Sequence, residues 1–246
     1  MLLDIDGTLA PIVDNAADAS VPEATRQLLI TISRRYALLA CVSGRRASDA
    51  RAMVSIGTIA YVGSHGSELL SPGWTESVLD PALVQWVPKI EAFRREYDNT
   101  DLQRRRIRLE DKRAMLAFHW RGAPDERAAR EAVDSIGASA QAAGLEVLWG
   151  RKVMEVHPPV HIDKGVGVTR LLEGRQLRTV LYAGDDTTDL DAFRAVRTLE
   201  QEGRIARGLC VGVRSDEGPA AIEDEADLMV DGTDGIQELL AALISD

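Results

Sequence analysis

The sequence predicts an α/β fold, in which helices cover both faces of a mostly parallel β-sheet and a smaller α+β unit is inserted. Short apolar runs that stop at Gly, Ser or Asp alternate with longer charged stretches of helical periodicity. Continuous apolar runs of this kind are typical of parallel strands that are buried on both faces. The 246 residues, 45% of them hydrophobic, suffice for a core without disulfide or metal support.

Five apolar runs are the predicted strands of the sheet, and five stretches are the predicted helices between them. The strands cover residues 1–5, 37–42, 59–62, 180–183 and 208–213. The helices cover residues 22–35, 45–54, 164–174, 188–202 and 234–245. Ligands of such sheets bind outside the carboxyl ends of the strands. The polar residues that directly follow each run are therefore the candidates for function.

The predicted inserted domain covers residues 78–163, and residues 1–77 together with 164–246 form the predicted core domain. The inserted block holds 14 Lys and Arg and 14 Asp and Glu, so the net charge of −10 lies entirely in the core domain. Within it, the pattern predicts two strands, one helix and two further strands. They cover residues 107–111, 115–120, 126–144, 147–149 and 153–156.

The charge balance argues against two classes of partner. The chain has 29 Lys and Arg against 39 Asp and Glu and no basic tail, whereas nucleic acids and anionic membranes attract basic surfaces. No apolar run approaches the roughly 18 residues of a membrane-spanning helix. Cys41 and Cys210 lie in apolar stretches, which predicts buried thiols in a reducing compartment. We expect a cytoplasmic protein that acts on a small molecule, and the oligomeric state stays open.

A first acidic segment, Asp4-Ile5-Asp6-Gly7-Thr8, closes the first predicted strand. Ionised carboxylates beside a buried strand are costly unless a cation or hydrogen-bond donors meet them. A turn that uses Asp and Gly for backbone reasons is the alternative interpretation.

A second acidic segment, Gly184-Asp185-Asp186-Thr187-Thr188-Asp189, follows the strand at residues 180–183. Two acidic strand ends brought together make a site for a hard divalent cation, and Mg²⁺ is the usual occupant. Helix capping by Asp185 or Thr187 is the alternative. Capping accounts for one acid but not for three.

Two further segments supply positive potential. Ser43-Gly44-Arg45 follows the second strand, and a hydroxyl with free N–H groups at a helix start can bind an anion. Lys164 opens the helix that leads to the strand at residues 180–183, and a cation near acidic loops helps to hold a phosphate. Each signal is weak alone.

In their order along the chain, these four segments resemble the haloacid-dehalogenase-like superfamily of phosphatases. The resemblance implies a Rossmann-like core with an inserted cap, and Mg²⁺ as cofactor. It implies that Asp4 is the nucleophile that forms an aspartyl-phosphate, and that Asp6 is the general acid and then the base. Asp4, the backbone carbonyl of Asp6 and Asp185 would hold the metal, with Asp189 ordering its surroundings.

The same resemblance implies a phosphate site. Ser43, Gly44 and Lys164 would hold the phosphoryl oxygens, and Thr8 could offer its hydroxyl or N–H to the same oxygens or to the general acid. The nucleophile and a phosphate monoester repel each other as two anions. The metal and Lys164 supply the positive charge that lets them approach.

Further segments resemble trehalose-6-phosphate phosphatases, a family within that superfamily. They are Leu9-Ala10-Pro11-Ile12, Gly63-Ser64-His65-Gly66-Ser67-Glu68, Glu110-Asp111-Lys112, His119-Trp120-Arg121 and Glu155-Val156-His157-Pro158. In that family the cap closes over the disaccharide. The residues expected here to contact the sugar are Arg45, His65, Lys112, His119, Arg121 and Glu155. His119 and Arg121 share a strand face if alternation holds, but a turn prevents such counting for Lys112 and His119.

Several alternatives stay open. The charged residues of the cap also fit a solvated surface of mixed charge, and His65 also fits a turn. Another phosphatase of the superfamily, acting on sucrose phosphate or a glycosyl-phosphoglycerate, fits the same motifs, and so does a phosphotransferase. A non-catalytic sugar-phosphate-binding module is disfavoured, because Asp4, Asp6, Lys164 and Asp185 are all present.

Overall fold

The computed structural model describes residues 1–13, 18–215 and 218–245. The chain divides into two compact units, Met1–Val78 with Ile162–Asp246, and Leu79–His161. We call them the core unit and the cap unit. Among the described residues, every helix is too short or too polar to cross a membrane.

Twelve strands and ten helices make up the described chain. The strands are β1 (Leu2–Leu3), β2 (Ala40–Val42), β3 (Ala60–Gly63), β4 (Glu68–Leu70), β5 (Val78–Leu79), β6 (Arg108–Asp111), β7 (Leu116–His119), β8 (Glu146–Gly150), β9 (Val153–His157), β10 (Thr179–Gly184), β11 (Arg207–Arg214) and β12 (Leu228–Asp231). The helices are α1 (Glu23–Arg35), α2 (Ala47–Val54), α3 (Pro81–Val84), α4 (Val87–Tyr97), α5 (Thr100–Arg104), α6 (Glu126–Ala142), α7 (Lys164–Leu172), α8 (Thr187–Gln201), α9 (Ala221–Glu225) and α10 (Gly232–Ile244).

The core sheet has eight strands in the order β12-β11-β10-β1-β2-β3-β4-β5. Its strands are parallel from β12 to β3, and β4 runs antiparallel to β3. From β1, the strand order runs through β2 and β3 on one side and through β10, β11 and β12 on the other. In open α/β sheets this point forms a crevice at the carboxyl ends of the strands.

Helices cover both faces of the core sheet. Successive residues of each strand point to opposite faces, so each buried strand presents apolar side chains to the helices on both sides. On one side Leu3 and Cys41 pack with residues of α1, α2 and α10. On the other side Leu2 and Tyr182 pack with residues of α7 and α8. The predicted α/β class with a mostly parallel sheet is confirmed, and both cysteines are buried free thiols as predicted.

The cap unit contains an antiparallel sheet in the order β6-β7-β9-β8. Leu116, Phe118, Met154 and Val156 on one face pack against α6 in a separate apolar core. The two strands, one helix and two strands of this unit confirm the predicted α+β insertion. Three helices precede them that the sequence pattern does not predict: α4, with 11 residues, and the short helices α3 and α5.

The first strand is shorter than the predicted residues 1–5. Only Leu2 and Leu3 pair on both sides, since the chain bends after Asp4 and Gly7 takes the left-handed conformation with φ of +84°. The strands β4, β5 and β12 were also not predicted. They are two to four residues long, which is too short for a clear alternation of apolar and polar residues.

Candidate active site

The candidate site lies where β1, β2 and β10 end. Asp4 follows β1, and its N–H donates to the carbonyl of Ala183 in β10 at 2.9 Å. Ser43 follows β2, and Asp185 follows β10. Because β1 is paired with both neighbours, the residues after these three strands come to the same edge of the core sheet.

The carboxylates of Asp4, Asp185 and Asp189 form a buried cluster at this edge. One oxygen of each lies within 4.8 Å of the others, and none of the three residues is more than 3% exposed. Burial, followed by the charge of Asp189, raises the pKa of Asp4 well above its ordinary value. Three acidic groups so close together and so remote from water require compensating positive charge.

Lys164 supplies part of that charge. Its Nζ donates to Asp4 Oδ1 at 2.8 Å and to Asp189 Oδ1 at 2.7 Å. Burial alone lowers the pKa of a lysine, but the charges of Asp189 and Asp4 outweigh it, and the pKa of Lys164 stands above its ordinary value. Lys164 therefore stays an ammonium ion and joins the two acidic segments across the start of α7.

Asp189 has four hydrogen-bond donors around its two oxygens. Oδ1 accepts from Lys164 and, at 2.7 Å, from the hydroxyl of Tyr182. Oδ2 accepts from the N–H groups of Asp185 and Asp186, each at 3.0 Å. A carboxylate has about four acceptor positions, so Asp189 is saturated within the protein. It organises the cluster, and Asp4 and Asp185 are the carboxylates left to bind a ligand.

α8 has a capped N-terminus. The N-cap is Asp186, whose side chain accepts from the N–H of Thr188, and Asp189 closes a capping box with the backbone of Asp186. Capping by Asp185 or Thr187 was the alternative interpretation of this segment, and neither residue is the N-cap. Asp185 instead turns into the acidic cluster, because Gly184 leaves room beside Asp189: a Cβ built on Gly184 would overlap that carboxylate.

Asp185 accepts a hydrogen bond from a residue of the first acidic segment. Thr8 Oγ1 donates to Asp185 Oδ1 at 3.0 Å, and the N–H of Thr8 donates to the carbonyl of Ile5. Both donors of Thr8 are thus engaged within the protein, and its contact with the phosphate or with the general acid stays a prediction. Gly7 lies so close that a Cβ would overlap the carboxylate of Asp185. Glycine at this position is therefore required by both space and backbone conformation.

These residues fit a Mg²⁺ ion. Asp4 and Asp185 each keep one oxygen that accepts no hydrogen bond from any residue the structure describes. Three buried carboxylates face a single ammonium group, which leaves negative charge uncompensated. Hard oxygen ligands and excess negative charge are what Mg²⁺ selects. Burial, followed by the charge of Asp189, raises the pKa of Asp185 to about 6, as expected for a buried carboxyl group close to another anion.

Asp185→Asn is expected to flatten the pH dependence of stability. The pKa of Asp185 is raised from 3.8 to about 6 on folding, so the folded protein binds this proton more tightly than the unfolded chain. Its contribution to stability is therefore lost as pH rises from 4 to above 6. In EDTA, the melting temperature of the parent should fall more across this window than that of the variant. Equal slopes would contradict the assignment.

Asp6 and Arg45 form a second ionic element beside the cluster. Arg45 Nε donates to Asp6 Oδ2 and Nη2 donates to Oδ1, both at 2.7 Å. Asp6 raises the pKa of Arg45 through these hydrogen bonds. The side chain of Asp6 is 38% exposed, in contrast to the buried Asp4. The predicted general acid is thus at the open side of the site, and its partner is the arginine predicted to contact the sugar.

Next to this pair lie Ser43, Gly44 and His65. The hydroxyl of Ser43 accepts from the N–H of Arg45 at 3.1 Å, and a Cβ on Gly44 would overlap the imidazole of His65. His65 lies in the short turn Ser64–Gly66, where Ser64, His65 and Gly66 all have positive φ. Consecutive left-handed residues store backbone strain, which concentrates at functional sites.

Glu68 is a site-supporting residue that the sequence analysis did not select. It is 2% exposed, and its carboxylate accepts from the N–H of Ala47 at 2.8 Å, from Ser64 Oγ at 3.1 Å and from Ser77 Oγ. It therefore ties the start of α2 to the strained turn. Tyr182 was also missed, because a tyrosine inside an apolar run is typical of a core residue.

In the cap unit, the strand register places Lys112, His119 and Glu155 on one face of the sheet. Arg108 lies opposite His119, and Ala117 lies opposite both Glu110 and Glu155. Directly opposed residues share a face, as do residues two apart in one strand. The structure thus answers what counting along the sequence left open for Lys112 and His119.

Ion pairs connect these side chains on that face, which we call the cap polar face. Lys112 Nζ donates to Glu155 Oε1 at 3.0 Å, and His157 Nε2 lies 3.1 Å from Glu155 Oε2. His119 Nε2 lies 2.8 Å from Glu110 Oε2, and this hydrogen bond is the main cause that lowers the pKa of Glu110 to about 2. Burial opposes ionisation of Glu155, but His157 and Lys112 outweigh it, so its pKa is lowered.

Arg121 lies apart from these ion pairs. β7 ends at His119, and Arg121 follows in a turn, exposed, with Nη2 donating to the carbonyl of Arg151 at 3.4 Å. The predicted alternation of side chains between the two strand faces therefore ends before Arg121, and it does not place Arg121 on the face of His119. Glu110 and His157 belong to the cap polar face although the sequence analysis did not select them.

Residues 2–225 match the family model described as trehalose-phosphatase. The chain is 34% identical over 231 residues to the trehalose-phosphate phosphatase of Mycobacterium avium, covering 90% of this chain and 56% of that protein. It is 30% identical over 208 residues to the probable trehalose-phosphate phosphatase 4 of Oryza sativa, covering 80% of this chain and 55% of that protein. The chain thus spans just over half the length of these two relatives.

Solved structures share the fold. A trehalose-6-phosphate phosphatase related protein has a TM-score of 0.72 at 22% identity, covering 98% of this chain and 95% of its own. A haloacid dehalogenase-like hydrolase from Bacteroides thetaiotaomicron has a TM-score of 0.67 at 17% identity, covering 99% of this chain and 98% of its own. At these identities the similarity establishes the fold, and it confirms the predicted Rossmann-like core with an inserted cap.

Proposed function

The chain belongs to the trehalose-phosphatase family, and from this premise we propose that it hydrolyses trehalose 6-phosphate to trehalose and phosphate. The observation that carries the proposal is the buried contact of Asp4 with Lys164 beside Asp185, at the switch point of the sheet. A carboxylate held by a fixed cation beside a second carboxylate is the arrangement that phosphoryl transfer to an aspartate requires.

In this proposal a Mg²⁺ ion would be held by Asp4, Asp185 and the backbone carbonyl of Asp6, and it would supply positive charge that lowers the repulsion between nucleophile and phosphate. Lys164 supports the same function from the other side. Its Nζ holds Asp4 Oδ1 in place. Ser43 and Gly44 are the further proposed contacts of the phosphoryl oxygens.

The reaction then takes two displacement steps. In the first, an oxygen of Asp4 forms a bond to phosphorus, the bond from phosphorus to the sugar oxygen breaks, and Asp6 gives its proton to that oxygen. In the second, water attacks phosphorus, the bond to Asp4 breaks, and Asp6 takes the proton from the water. Asp6 is bound to Arg45 by two hydrogen bonds, so proton transfer requires its carboxylate to leave this arginine.

We further propose that the cap polar face recognises sugar hydroxyl groups. Glu155 and Glu110 are acceptors, Lys112 is a donor, and the imidazoles of His119 and His157 can serve as either. Held on rigid strands, such groups read hydroxyl positions, and binding energy from the non-reacting sugar can be used to align the phosphate. Arg45 and His65, and the exposed Arg121, remain proposed sugar contacts on the strength of the motifs.

Two further proposals concern the setting of the enzyme. A cytoplasmic location is supported by two buried free thiols, because such thiols are typical of reducing compartments. The proposed partner is the small-molecule substrate, and the net charge of −10 disfavours nucleic acid.

Phosphate release from trehalose 6-phosphate, measured with Mg²⁺ and with EDTA, tests the proposed function. Sucrose 6-phosphate and glucose 6-phosphate are assayed in parallel. We expect Mg²⁺-dependent release, with glucose 6-phosphate losing both kcat and affinity because it lacks the second ring. No phosphate release from any of the three compounds would refute the proposed phosphatase activity. Equal turnover of all three would refute trehalose 6-phosphate as the preferred substrate.

Glu155→Gln is expected to raise the KM for trehalose 6-phosphate about tenfold or more, because it weakens a charged acceptor on the cap polar face. Turnover of p-nitrophenyl phosphate, which has no sugar, should stay at the parental rate. Glu126→Gln is the matched control: it weakens the exposed pair with Lys152 in the same unit and should change neither. Equal effects of Glu155→Gln on both substrates would contradict a role in sugar recognition.

A further inference from the structure

Tyr182 contacts the acidic cluster from within the sheet. It lies in β10 with its side chain fully buried, and its ring packs edge-on against Phe193 of α8 at a centroid distance of 5.8 Å. Its hydroxyl donates to Asp189 Oδ1 at 2.7 Å. Burial, followed by the charge of Asp189, raises the pKa of Tyr182 well above its ordinary value, so the hydroxyl keeps its proton and remains a donor.

We propose that Tyr182 is a positioning residue of this site: its hydroxyl fixes the plane of the Asp189 carboxylate, and Asp189 in turn holds Lys164 and the Asp185 loop in place. The inference rests on the proposed function for its catalytic consequence. It assigns a role to a contact that none of the proposed reaction steps uses.

The four donors of Asp189 differ in how firmly their positions are fixed. Lys164 reaches Oδ1 through a chain of four methylene groups, and the two N–H groups that reach Oδ2 belong to the loop that itself must be held. Tyr182 differs from these donors. Its hydroxyl is attached to a rigid ring that is enclosed between the sheet and Phe193, so it is the donor whose position the core alone determines.

Removing the hydroxyl frees the carboxylate to turn. Oδ1 then accepts from Lys164 alone, and rotation about the Cβ–Cγ bond shifts Oδ2 away from the N–H groups of Asp185 and Asp186. Lys164 also donates to Asp4 Oδ1, so a displaced Asp189 alters the nucleophile and the loop of Asp185 together. Partners behind the direct ligands of a metal commonly change its affinity or the activity by about 10–100-fold.

Tyr182→Phe tests this inference, because it removes one oxygen and keeps the ring. Tyr61→Phe is the matched control: Tyr61 is equally buried in the same sheet, and its hydroxyl donates to the carbonyl of Ile56 at 2.6 Å. Mg²⁺ binding is measured by isothermal titration calorimetry, and kcat and KM are measured with trehalose 6-phosphate. For Tyr182→Phe we expect the Kd for Mg²⁺ to rise about tenfold and kcat to fall about 10–100-fold, with little change in KM.

The Tyr61→Phe control distinguishes a loss of positioning at Asp189 from a general loss of protein stability. Both substitutions remove a buried hydrogen bond and should lower the melting temperature by similar amounts, but Tyr61→Phe should keep the parental Kd and kcat. Identical values of Kd and kcat for the two variants would overturn the inference. If the parent protein releases no phosphate, the proposed function fails, and the Mg²⁺ titrations still decide the role of Tyr182. If Tyr182→Phe does not fold, Phe193→Leu loosens the same ring, and unchanged Mg²⁺ binding there overturns the inference.

Discussion

Lys164→Met is expected to abolish most of the phosphatase activity and to destabilise the protein strongly. Removing the ammonium leaves Asp4 and Asp189 as buried anions without their shared donor. Loss of one partner of a buried ion pair typically costs about 3–5 kcal/mol, and loss of one fixed donor that stabilises charge in the transition state typically lowers kcat by about 10²–10³-fold. Urea unfolding in EDTA measures the first effect, and phosphate release measures the second.

The pH dependence of this effect follows from the direction of the pKa changes. Without Lys164 the pKa of Asp4 rises further, because Lys164 is the group that lowers it. The stability lost by the variant should therefore shrink as pH falls and Asp4 takes up a proton. Lys152→Met is the control, since Lys152 forms an exposed pair with Glu126 and should cost less than about 1 kcal/mol. Equal stability losses for the two lysines would contradict a buried ionic cluster around Lys164.

The acidic residues of the site could be predicted because their positions depend on little besides the strand ends. Asp4 and Asp185 each follow an apolar run, and parallel strands bring their carboxyl ends to one edge. Lys164 could be included because the helix it opens leads directly to β10. The motif order along the chain added the family resemblance, which the family comparison confirms.

Other features depend on tertiary geometry and carry no local signal. Whether Lys112 and His119 share a face depends on the turn between β6 and β7, in which Arg113 takes a positive φ of 67°. The bond from Tyr182 to Asp189 depends on how α8 packs on the sheet, whereas the local sequence shows only an aromatic residue among apolar neighbours. The helices α3 and α4 each have a proline in the first turn, a position that proline tolerates but that resembles a turn.

The pairing of Asp6 with Arg45 shows why motif positions alone do not define a mechanism. The motif implies a general acid at Asp6, yet its carboxylate here accepts two hydrogen bonds from a guanidinium group. A carboxylate in this pair is an acceptor, so the proposed role requires an exchange of partners during turnover. The partial exposure of both side chains leaves room for that exchange, in contrast to the buried contact between Asp4 and Lys164.

Asp4→Asn should produce opposite effects on activity and on stability. The amide cannot form the acyl phosphate, so phosphate release should fall by about 10³-fold or more. The same change removes a buried acid whose pKa burial and Asp189 raise, and whose ionised form therefore opposes folding at neutral pH. In EDTA the melting temperature should rise by about 2–4 °C near pH 8, and the gain should vanish towards pH 4, where the parental carboxyl is protonated.

Asp49→Asn is the control for the expected stabilisation by Asp4→Asn. Asp49 is an exposed acid in the first turn of α2, and its replacement removes the same charge from the same unit without touching the acidic cluster. A general effect of reduced net charge would stabilise both variants alike, whereas relief of repulsion in the cluster stabilises Asp4→Asn alone. An Asp4→Asn protein that kept parental turnover would move the nucleophile to another residue. One that lost stability in EDTA would show that the contact with Lys164 outweighs the burial of the carboxylate.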